Sequence, residues 1–256
     1  MLLRVVALAL CAYSASVLSP STTKYRIEQS LSQEIDASAA GGARQKIAFT
    51  TLSFVTVTLA DSAGGKSVLV VVDSIRGDSA TPIPAPVLDS ARGSVFKGFV
   101  EKSGRASGLE PTGGSPAAAQ IQGLLSDFLP WIKPGLKVGE SWADTTSRTN
   151  ATGPDSVTIR RVTAYKAAAG ETRESRKAVR VTQDFTSLVA GTQPTPNGPA
   201  RIEGTGRGTG FYFIGTDGRY LGGSWQQQSS LTISGSFATQ PLPITISQKT
   251  TVSTLK

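Results

Sequence analysis

The sequence contains no histidine, and its only cysteine is Cys11, close to the start of the chain. Histidine is the usual general base of nucleophilic hydrolases and a common ligand of zinc and copper, so its absence argues against both kinds of site. A single cysteine forms no disulfide within the chain, and the fold must therefore be stabilised by its core. We accordingly predict a non-enzymatic protein with no catalytic residue, no bound metal and no cofactor.

Long helix-forming blocks are also absent, whereas Ser, Thr, Val and Gly are plentiful. This composition is typical of a β protein. A chain of 256 residues forms one large β domain or two small ones. Because no internal repeat and no sharp change of composition divides the chain, we predict a single β-rich domain over residues 20–256.

The first 19 residues resemble a secretory signal peptide. Arg4 precedes an apolar run from Val5 to Leu10, small residues follow, and we expect cleavage between positions 14 and 19. The apolar run is too short to span a membrane. A lipoprotein signal needs a small residue before its cysteine, but Leu10 precedes Cys11, so we rank a lipid anchor behind plain secretion. The protein is therefore expected to be exported, to the periplasm or outside the cell.

Alternation of apolar and polar residues predicts antiparallel strands along most of the remaining chain, as in Thr22–Leu31. We expect a bulge or a bend near Thr51, where the apolar phase changes. The continuous apolar run Val68–Val72 predicts a central strand that is covered on both faces. Residues 77–92 carry prolines at alternate positions and are predicted to form a loop.

One amphipathic helix is predicted at Ser115–Leu129, with Ser115 as its cap, Pro116 in its first turn and Pro130 after its end. Its apolar residues recur at helical spacing, which places them on one face. We expect this face to pack on the sheet and to line any ligand cavity between helix and sheet. The residues of the face are Ile121, Leu124, Leu125 and Phe128.

The segment Ala200–Trp225 is predicted to be a long hairpin with a type I′ turn at Asp217 and Gly218. Glycine occupies every second position of its first strand, so one face lacks side chains and allows the sheet to bend. A two-residue turn predicts the cross-strand pairs Gly210–Trp225, Tyr212–Gly223 and Phe213–Gly222. We expect any ligand to lie on this smooth face, which is formed by Gly206, Gly208, Gly210 and Trp225.

Three patterns of chemical interest are better explained by structure. A G-x-G-x-G pattern within residues 204–210 would bind phosphate only ahead of a helix, and a strand follows it here. The S-T-T-K of Ser21–Lys24 matches a serine–lysine motif that normally opens a helix, but it precedes an alternating strand. Calcium would need a spaced acidic loop, which none of the candidate aspartates provides: Asp73, Asp78, Asp89 and Asp155.

The formal net charge is +8, and seven basic residues against two acidic ones lie between positions 158 and 180. This segment is predicted to be a hairpin with a polar tip. No aromatic platform or reading helix accompanies it, so we predict no nucleic-acid partner. A solvated hairpin explains the charge. Alternatively, the hairpin docks on an anionic envelope surface through Arg160, Arg161, Arg173 and Arg176.

The segment L-P-W-I-K-P-G-L-K-V-G-E-S-W, residues 129–142, brackets a Pro/Gly turn between two tryptophans. It is similar to a junction in uncharacterised exported bacterial proteins in which a proline-bounded helix returns to a sheet. The whole layout, with about ten antiparallel strands, one such helix and an export signal, resembles the LolA-like group of bacterial envelope proteins. That resemblance implies a curled, incompletely closed sheet that holds a lipid or acyl chain beneath helices, and it assigns no residue a role.

We therefore predict a mainly β fold, a large curled antiparallel sheet or half-barrel with one amphipathic helix packed on it. The leading functional hypothesis is an exported cell-envelope protein that binds an apolar or amphipathic ligand, such as a lipid, in the curved sheet. The alternative is a structural or interaction module that docks on an anionic envelope surface. A hydrolase is the third hypothesis, because a pair of carboxylates that meet only in space leaves no signal in the sequence.

Overall fold

The computed structural model describes residues 20–38, 41–113, 115–125, 128–152, 155–173, 175–195, 198–235 and 240–255. The predicted signal peptide and Cys11 lie outside these residues. Eleven strands and two short helices occupy the described part of the chain. They are β1 (Ser21–Asp36), β2 (Arg44–Ser62), β3 (Gly65–Gly77), α1 (Ala85–Ser90), β4 (Val95–Glu101), β5 (Glu110–Pro111), α2 (Pro116–Leu125), β6 (Ser141–Thr152), β7 (Asp155–Arg173), β8 (Arg176–Thr195), β9 (Gly198–Gly215), β10 (Tyr220–Gly235) and β11 (Leu242–Leu255).

All eleven strands join in one antiparallel sheet, which is curled into a half-barrel, so the predicted fold class is confirmed. The strand order is β5-β4-β3-β2-β1-β11-β10-β9-β8-β7-β6. The first and last strands therefore pair with each other in the middle of the sheet. From this pair the chain forms one meander on each side, and the two edges of the sheet are β5 and β6.

The two faces of the sheet differ because alternate residues of a strand point to opposite sides. On β1, Tyr25, Ile27 and Gln29 are buried, whereas the residues between them are half-buried. The buried side carries both helices, and we call it the helix face. We call the opposite side of the sheet the open face.

The hydrophobic core lies between the helices and the helix face of the sheet. Ile121, Leu125 and Phe128 are at most 1% exposed and pack with buried residues of β1 to β4. Burying each of these side chains contributes roughly 1.5–3 kcal/mol. The apolar stripe that the sequence predicts on α2 is therefore part of the core.

Helix α2 begins as predicted but is shorter. The Ala118 N–H donates a hydrogen bond to the Ser115 hydroxyl at 3.4 Å, and Pro116 is the first helical residue. The helix ends at Leu125, and residues 126–127 lie outside the described part of the chain. Gly123 lowers helix propensity in the last turn, and Pro130 disfavours a helical conformation in the residue before it.

A second helix, α1, lies within the segment that the sequence predicts to be a loop. Prolines at alternate positions exclude a central strand, but the first turn of a helix needs no N–H at those positions. Leu88 of this helix is 3% exposed and belongs to the core. The prediction of a single helix is therefore corrected to two.

Two details predicted for β2 and β3 are wrong. β2 stays in register with β1 through Thr51, so there is no bulge at that point. The irregularity lies in β3, where the register with β2 shifts between Phe54 and Val55. Alternate residues of Val68–Val72 are buried and those between are half-buried, because the helices cover only one face of β3.

The turn of the β9–β10 hairpin differs from the predicted type I′ turn. The Gly215 N–H donates to the Arg219 carbonyl at 2.8 Å, so the loop has three residues instead of two. Within this loop only Gly218 has a positive φ, of 77°. A type I′ turn would need positive φ at two successive residues.

A bulge then restores the register that the sequence predicts for this hairpin. The register shifts between Tyr220 and Gly223, where β10 has one residue more than β9. This additional residue compensates for the additional residue of the loop. The predicted pairs Gly210–Trp225 and Tyr212–Gly223 are confirmed. The third predicted pair, Phe213–Gly222, falls within the bulge and does not form.

Between β5 and β6 the chain crosses the helix face from one sheet edge to the other, first through α2 and then through residues 128–140. We call residues 128–140 the crossing segment. The Ile132 N–H donates to the Gly104 carbonyl at 2.9 Å, and the Gly139 N–H donates to the Ala167 carbonyl at 2.7 Å. Gly104 has φ +84°, and a Cβ there would overlap the Ile132 carbonyl. The crossing segment thus links the two edges of the curled sheet. Neither described helix is long and apolar enough to traverse a membrane.

Candidate functional site

The glycines of β9 allow side chains of the neighbouring strands to lie against its backbone. A Cβ at Gly208 would overlap the ring of Phe185 on β8, and a Cβ at Gly210 would overlap Trp225 on β10. Aromatic side chains therefore cover the bare strand from both sides. The guanidinium of Arg161 lies over the Phe185 ring, 4.6 Å from its centroid. This strand thus supports an aromatic and cationic layer on the helix face.

A chain of aromatic rings continues across the helix face and the crossing segment. Neighbouring centroids lie 5.2–6.5 Å apart, within the range of favourable ring contacts. Because the rings come from β1, β10, β9, β7, β6 and the crossing segment, they connect strands that are distant in the sheet. In spatial order they are Phe128, Tyr25, Tyr220, Tyr212, Tyr165 and then both Trp142 and Trp131.

One cavity opens at the end of the sheet that carries the β2–β3 and β9–β10 turns, and we call it the mouth cavity. Its volume is about 840 Å³, within the range of small-molecule sites. The crossing segment forms one wall and the helix face forms the other. The apolar lining includes Tyr25, Val57, Leu59, Ile132, Leu136, Ile214 and Tyr220.

Charged side chains surround the mouth cavity: four are basic (Lys66, Lys102, Lys133 and Arg219) and three are acidic (Asp61, Glu101 and Asp217). Lys66 pairs with Asp61 at 3.1 Å, and Lys133 pairs with Glu140. Within the described part of the chain, Lys102 makes no ion pair. A basic group is therefore available at the entrance to an apolar space.

Tyr25 and Tyr220 of the mouth cavity and the neighbouring Tyr212 differ in how their hydroxyl groups are used. Tyr25 donates to the Tyr220 carbonyl at 2.9 Å, and Tyr212 donates to the Trp131 carbonyl at 2.8 Å. The Tyr220 hydroxyl is buried and has no partner among the described residues. Burial raises the pKa of Tyr212 and of Tyr220 well above the ordinary value, so both remain neutral at physiological pH.

A second cavity, of about 460 Å³, lies where the two sheet edges approach each other, and we call it the seam cavity. Arg105, which follows β4, forms an ion pair with Asp144 on β6. The Asp144 side chain is 6% exposed. Arg105 also lies over the Trp131 ring, 5.2 Å from its centroid. The seam cavity thus combines charged groups with aromatic rings.

The structure distributes the predicted ligand-lining residues among different places. Ile121, Leu125 and Phe128 are buried in the core, and Leu124 packs against it. Trp225 lines the seam cavity. The backbones of Gly206 and Gly208 border two grooves of the open face, of about 740 and 1070 Å³ respectively, and Gly210 lies half-buried beneath Trp225.

The four predicted surface arginines do not form one patch. Arg160 lies on the open face, whereas its neighbour Arg161 lies on the helix face, where it donates to Gln227 at 3.2 Å. Arg173 and Arg176 sit at the tip of the β7–β8 hairpin. Strand geometry places this tip about 40 Å from Arg160 and Arg161.

Sequence reasoning did not anticipate the residues of the mouth cavity. Its walls come from seven strands and the crossing segment, so no local pattern marks them. The alternation of Thr22–Leu31 predicts the strand that carries Tyr25, and the Pro/Gly turn of the crossing segment predicts a return to the sheet. Neither pattern shows that the two elements leave a space between them.

No protein-family model matches the chain, and no curated protein matches it. Among solved structures, the chain has a distant likeness to OccK2 (OpdF) of Pseudomonas aeruginosa. The crystal structure of OccK2 in complex with glucuronate has 9% identity and a TM-score of 0.27, over 92% of this chain and 98% of the other. A second OccK2 crystal structure has 9% identity and a TM-score of 0.25, over 93% and 98%. At these TM-scores the likeness carries no argument, and the function must be inferred from the cavities themselves.

Proposed function

We propose that the protein is an exported, non-enzymatic cell-envelope protein that binds an amphipathic molecule in the mouth cavity. The observation that supports this proposal is an apolar cavity of about 840 Å³ whose lining holds four basic and three acidic side chains, with Lys102 in no ion pair among the described residues. Apolar surface that leaves water for such walls gains about 25 cal/mol per Å². A molecule with an apolar body and one anionic end suits both the walls and the rim.

The cover of this site is the crossing segment. Helix α2 does not serve as a lid, because its apolar face is already packed in the core. Ile132 and Leu136 of the crossing segment contribute apolar side chains to the cavity, and Lys133 contributes a charge. This arrangement keeps the idea of a ligand in a curled sheet, as in LolA-like carriers, but replaces the helical cover with an irregular segment.

Binding is the activity that these side chains support. The lining offers apolar walls, two tyrosines and a charged rim, and among the described residues no serine or threonine hydroxyl of this lining is hydrogen-bonded to one of its carboxylates or amines. Acid–base or nucleophilic catalysis requires such a pair within hydrogen-bonding reach. A hydrolase is therefore not favoured by the geometry of this site.

A cavity-filling variant tests the proposal. Delipidated protein is titrated with dodecanoate by calorimetry, alongside Leu59→Trp, which places a larger side chain in the cavity. The control is Leu188→Trp, because Leu188 is 53% exposed on the open face. We expect Leu59→Trp to weaken binding at least about tenfold and Leu188→Trp to leave it unchanged. Absence of binding by the wild type, or equal binding by both variants, would contradict the proposal.

A second candidate function, docking on an anionic envelope surface, is favoured by one observation. The β7–β8 tip lies beside the β9–β10 turn, because Ala178 pairs with Gly215 and Arg176 approaches Asp217 at 3.7 Å. The basic tip and the mouth cavity are therefore at the same end of the sheet. Docking of this end would bring the cavity against the surface from which an amphipathic ligand comes.

Vesicle binding tests this second function. The variant Arg173→Ser/Arg176→Ser removes two charges from the tip, and Arg160→Ser with Arg201→Ser removes two from exposed positions elsewhere. We expect only the tip variant to lose binding to vesicles containing anionic lipid, and we expect wild-type binding to weaken steeply between about 50 and 500 mM salt. Binding that ignores both salt and the tip charges would exclude the docking function.

A further inference from the structure

The seam cavity carries a set of side chains that a ligand in the mouth cavity would not reach. The crossing segment separates the two cavities, and Leu129 is the residue that both share. The mouth cavity is walled by aliphatic side chains and tyrosines. The seam cavity is walled instead by tryptophan and tyrosine rings, planar polar groups and hydroxyl groups.

The planar polar groups are those of Arg105, Glu110, Asp144, Arg148, Arg161 and Gln183. Guanidinium, carboxylate and amide groups each present two hydrogen-bonding atoms in one plane. Two neighbouring hydroxyl groups on a ring match that arrangement. Among known classes of small molecule, saccharides offer such hydroxyl pairs together with C–H faces that pack on aromatic rings.

The aromatic part of the cavity is held in place by neighbouring contacts. Trp225 lies against Gly210, and Tyr165 stacks with Trp142 at a centroid distance of 5.2 Å. Tyr212 is fixed by its hydrogen bond to the Trp131 carbonyl. Rings held in this way provide a preorganised platform, which lowers the entropic cost of binding.

Gln183 is the polar residue whose hydrogen-bonding groups are most clearly available to a ligand. It lies on the helix face between Tyr165 of β7 and Gly210 of β9. Its side chain is half-buried, and its amide makes no hydrogen bond to any described residue. The exposed Arg148 likewise makes no ion pair within the described part of the chain, so it can receive a carboxylate at the cavity entrance.

From this combination of rings and planar polar groups, we propose that the seam cavity is a saccharide-binding site. The volume of about 460 Å³ falls within the range of small-molecule sites. Gln183 and the Arg105–Asp144 pair contact ring hydroxyls, Trp225 packs against the sugar ring, and Arg148 favours sugars that carry a carboxylate.

Tryptophan emission gives a direct readout, because Trp131 and Trp225 line the cavity and Trp142, the third tryptophan, contacts Trp131. The protein is titrated with glucose, N-acetylglucosamine and galacturonate, and calorimetry confirms any change. We expect at least one sugar to bind. Gln183→Leu should weaken that binding about tenfold, the value of a lost hydrogen bond. The matched control Gln226→Leu, on the open face beside Trp225, should stay within about twofold.

A second pair of variants distinguishes a local loss of sugar binding from a loss caused by misfolding. Arg148→Ser should weaken galacturonate binding more than glucose binding, whereas Arg160→Ser, an exposed arginine on the open face, should change neither. Dodecanoate binding by Gln183→Leu should equal that of the wild type, which separates this site from the mouth cavity. The proposal is overturned if no sugar binds at about 10 mM, where a millimolar site would be largely filled. It is also overturned if Gln183→Leu and Gln226→Leu bind sugar equally well.

Discussion

The ring of Phe185 occupies the space above Gly208 that the Cβ of any other residue would fill. The two residues are directly opposite each other on β8 and β9. The ring in turn carries the guanidinium of Arg161 at 4.6 Å. The glycines at alternate positions of β9 are therefore explained by packing. They leave one face of the strand without side chains, so that large side chains of the neighbouring strands can lie across it.

Replacing Gly208 by alanine should displace the Phe185 ring and lower stability. We expect a loss of about 1–3 kcal/mol in the free energy of unfolding, the usual cost of overpacking. Gly206→Ala should cost less, because its Cβ would meet two rotatable hydroxyl groups at 2.6 Å, those of Ser187 and Ser229. Urea denaturation measures both changes.

Gly123→Ala is the control for this pair, because a Cβ at that helical position meets nothing within 4 Å. Alanine has the higher helix propensity, so this variant should gain about 0.5–1 kcal/mol. Unchanged stability in Gly208→Ala would show that the alternate glycines of β9 have no packing role.

The Arg105–Asp144 ion pair should contribute to holding the sheet edges together. Removing Arg105 leaves the buried carboxylate of Asp144 without its cation, so we expect Arg105→Ala to destabilise by about 1–3 kcal/mol. Arg105→Ala/Asp144→Ala should be less damaging than the sum of the single changes. Arg44→Ala, which removes an exposed cation from Asp36, should leave stability nearly unchanged, because solvent screens exposed pairs. Additive single and double variants would show that the pair makes no net contribution.

Two tyrosine-to-phenylalanine changes should have opposite signs. Tyr212→Phe loses a hydrogen bond to the Trp131 carbonyl, so it should destabilise by about 1 kcal/mol. Tyr220→Phe removes a buried hydroxyl that has no partner among the described residues, so it should stabilise by a similar amount. Thermal unfolding of the ligand-free protein measures both. A destabilising Tyr220→Phe would mean that its hydroxyl is satisfied in solution.

Stability should fall in alkaline solution because burial raises the pKa of Tyr165, Tyr212 and Tyr220. Below about pH 10 these phenols are neutral in both states and the pH has no effect through them. Above that pH the unfolded chain loses the protons first, so each tyrosine lowers stability by about 1.4 kcal/mol per pH unit. Tyrosinate absorbance should then rise together with unfolding. Ionisation of these tyrosines in the folded protein near pH 10 would contradict this expectation.

Local periodicity was sufficient to predict the strands, because burial on one face imposes alternation on each strand separately. It also predicted the β9–β10 register, although for an incomplete reason. The loop has one residue more than expected, and the bulge after Tyr220 compensates for it. Two opposite deviations therefore produced the expected pairs at Gly210 and Gly223, and sequence alone could not reveal either.

The cavities could not be predicted because they depend on where the crossing segment lies. Arg105 and Asp144 are separated by 39 positions in the chain and by the whole width of the sheet along its hydrogen bonds. They meet only because the sheet curls and the crossing segment bridges its edges. The spacing of apolar residues in α2 correctly predicted which face of the helix is buried. It cannot indicate whether space remains beside the helix.

Native mass spectrometry of delipidated protein incubated with acyl lipids tests the central claim most directly, namely that the mouth cavity holds an amphipathic ligand. We expect one lipid to remain bound to the wild type and to Leu188→Trp, and to be lost from Leu59→Trp. Anionic lipids should be retained better than neutral ones, with the preference reduced by Lys102→Ser but not by Lys97→Ser. If no lipid is retained, or if Leu59→Trp retains lipid as well as the wild type, the mouth cavity is not the binding site.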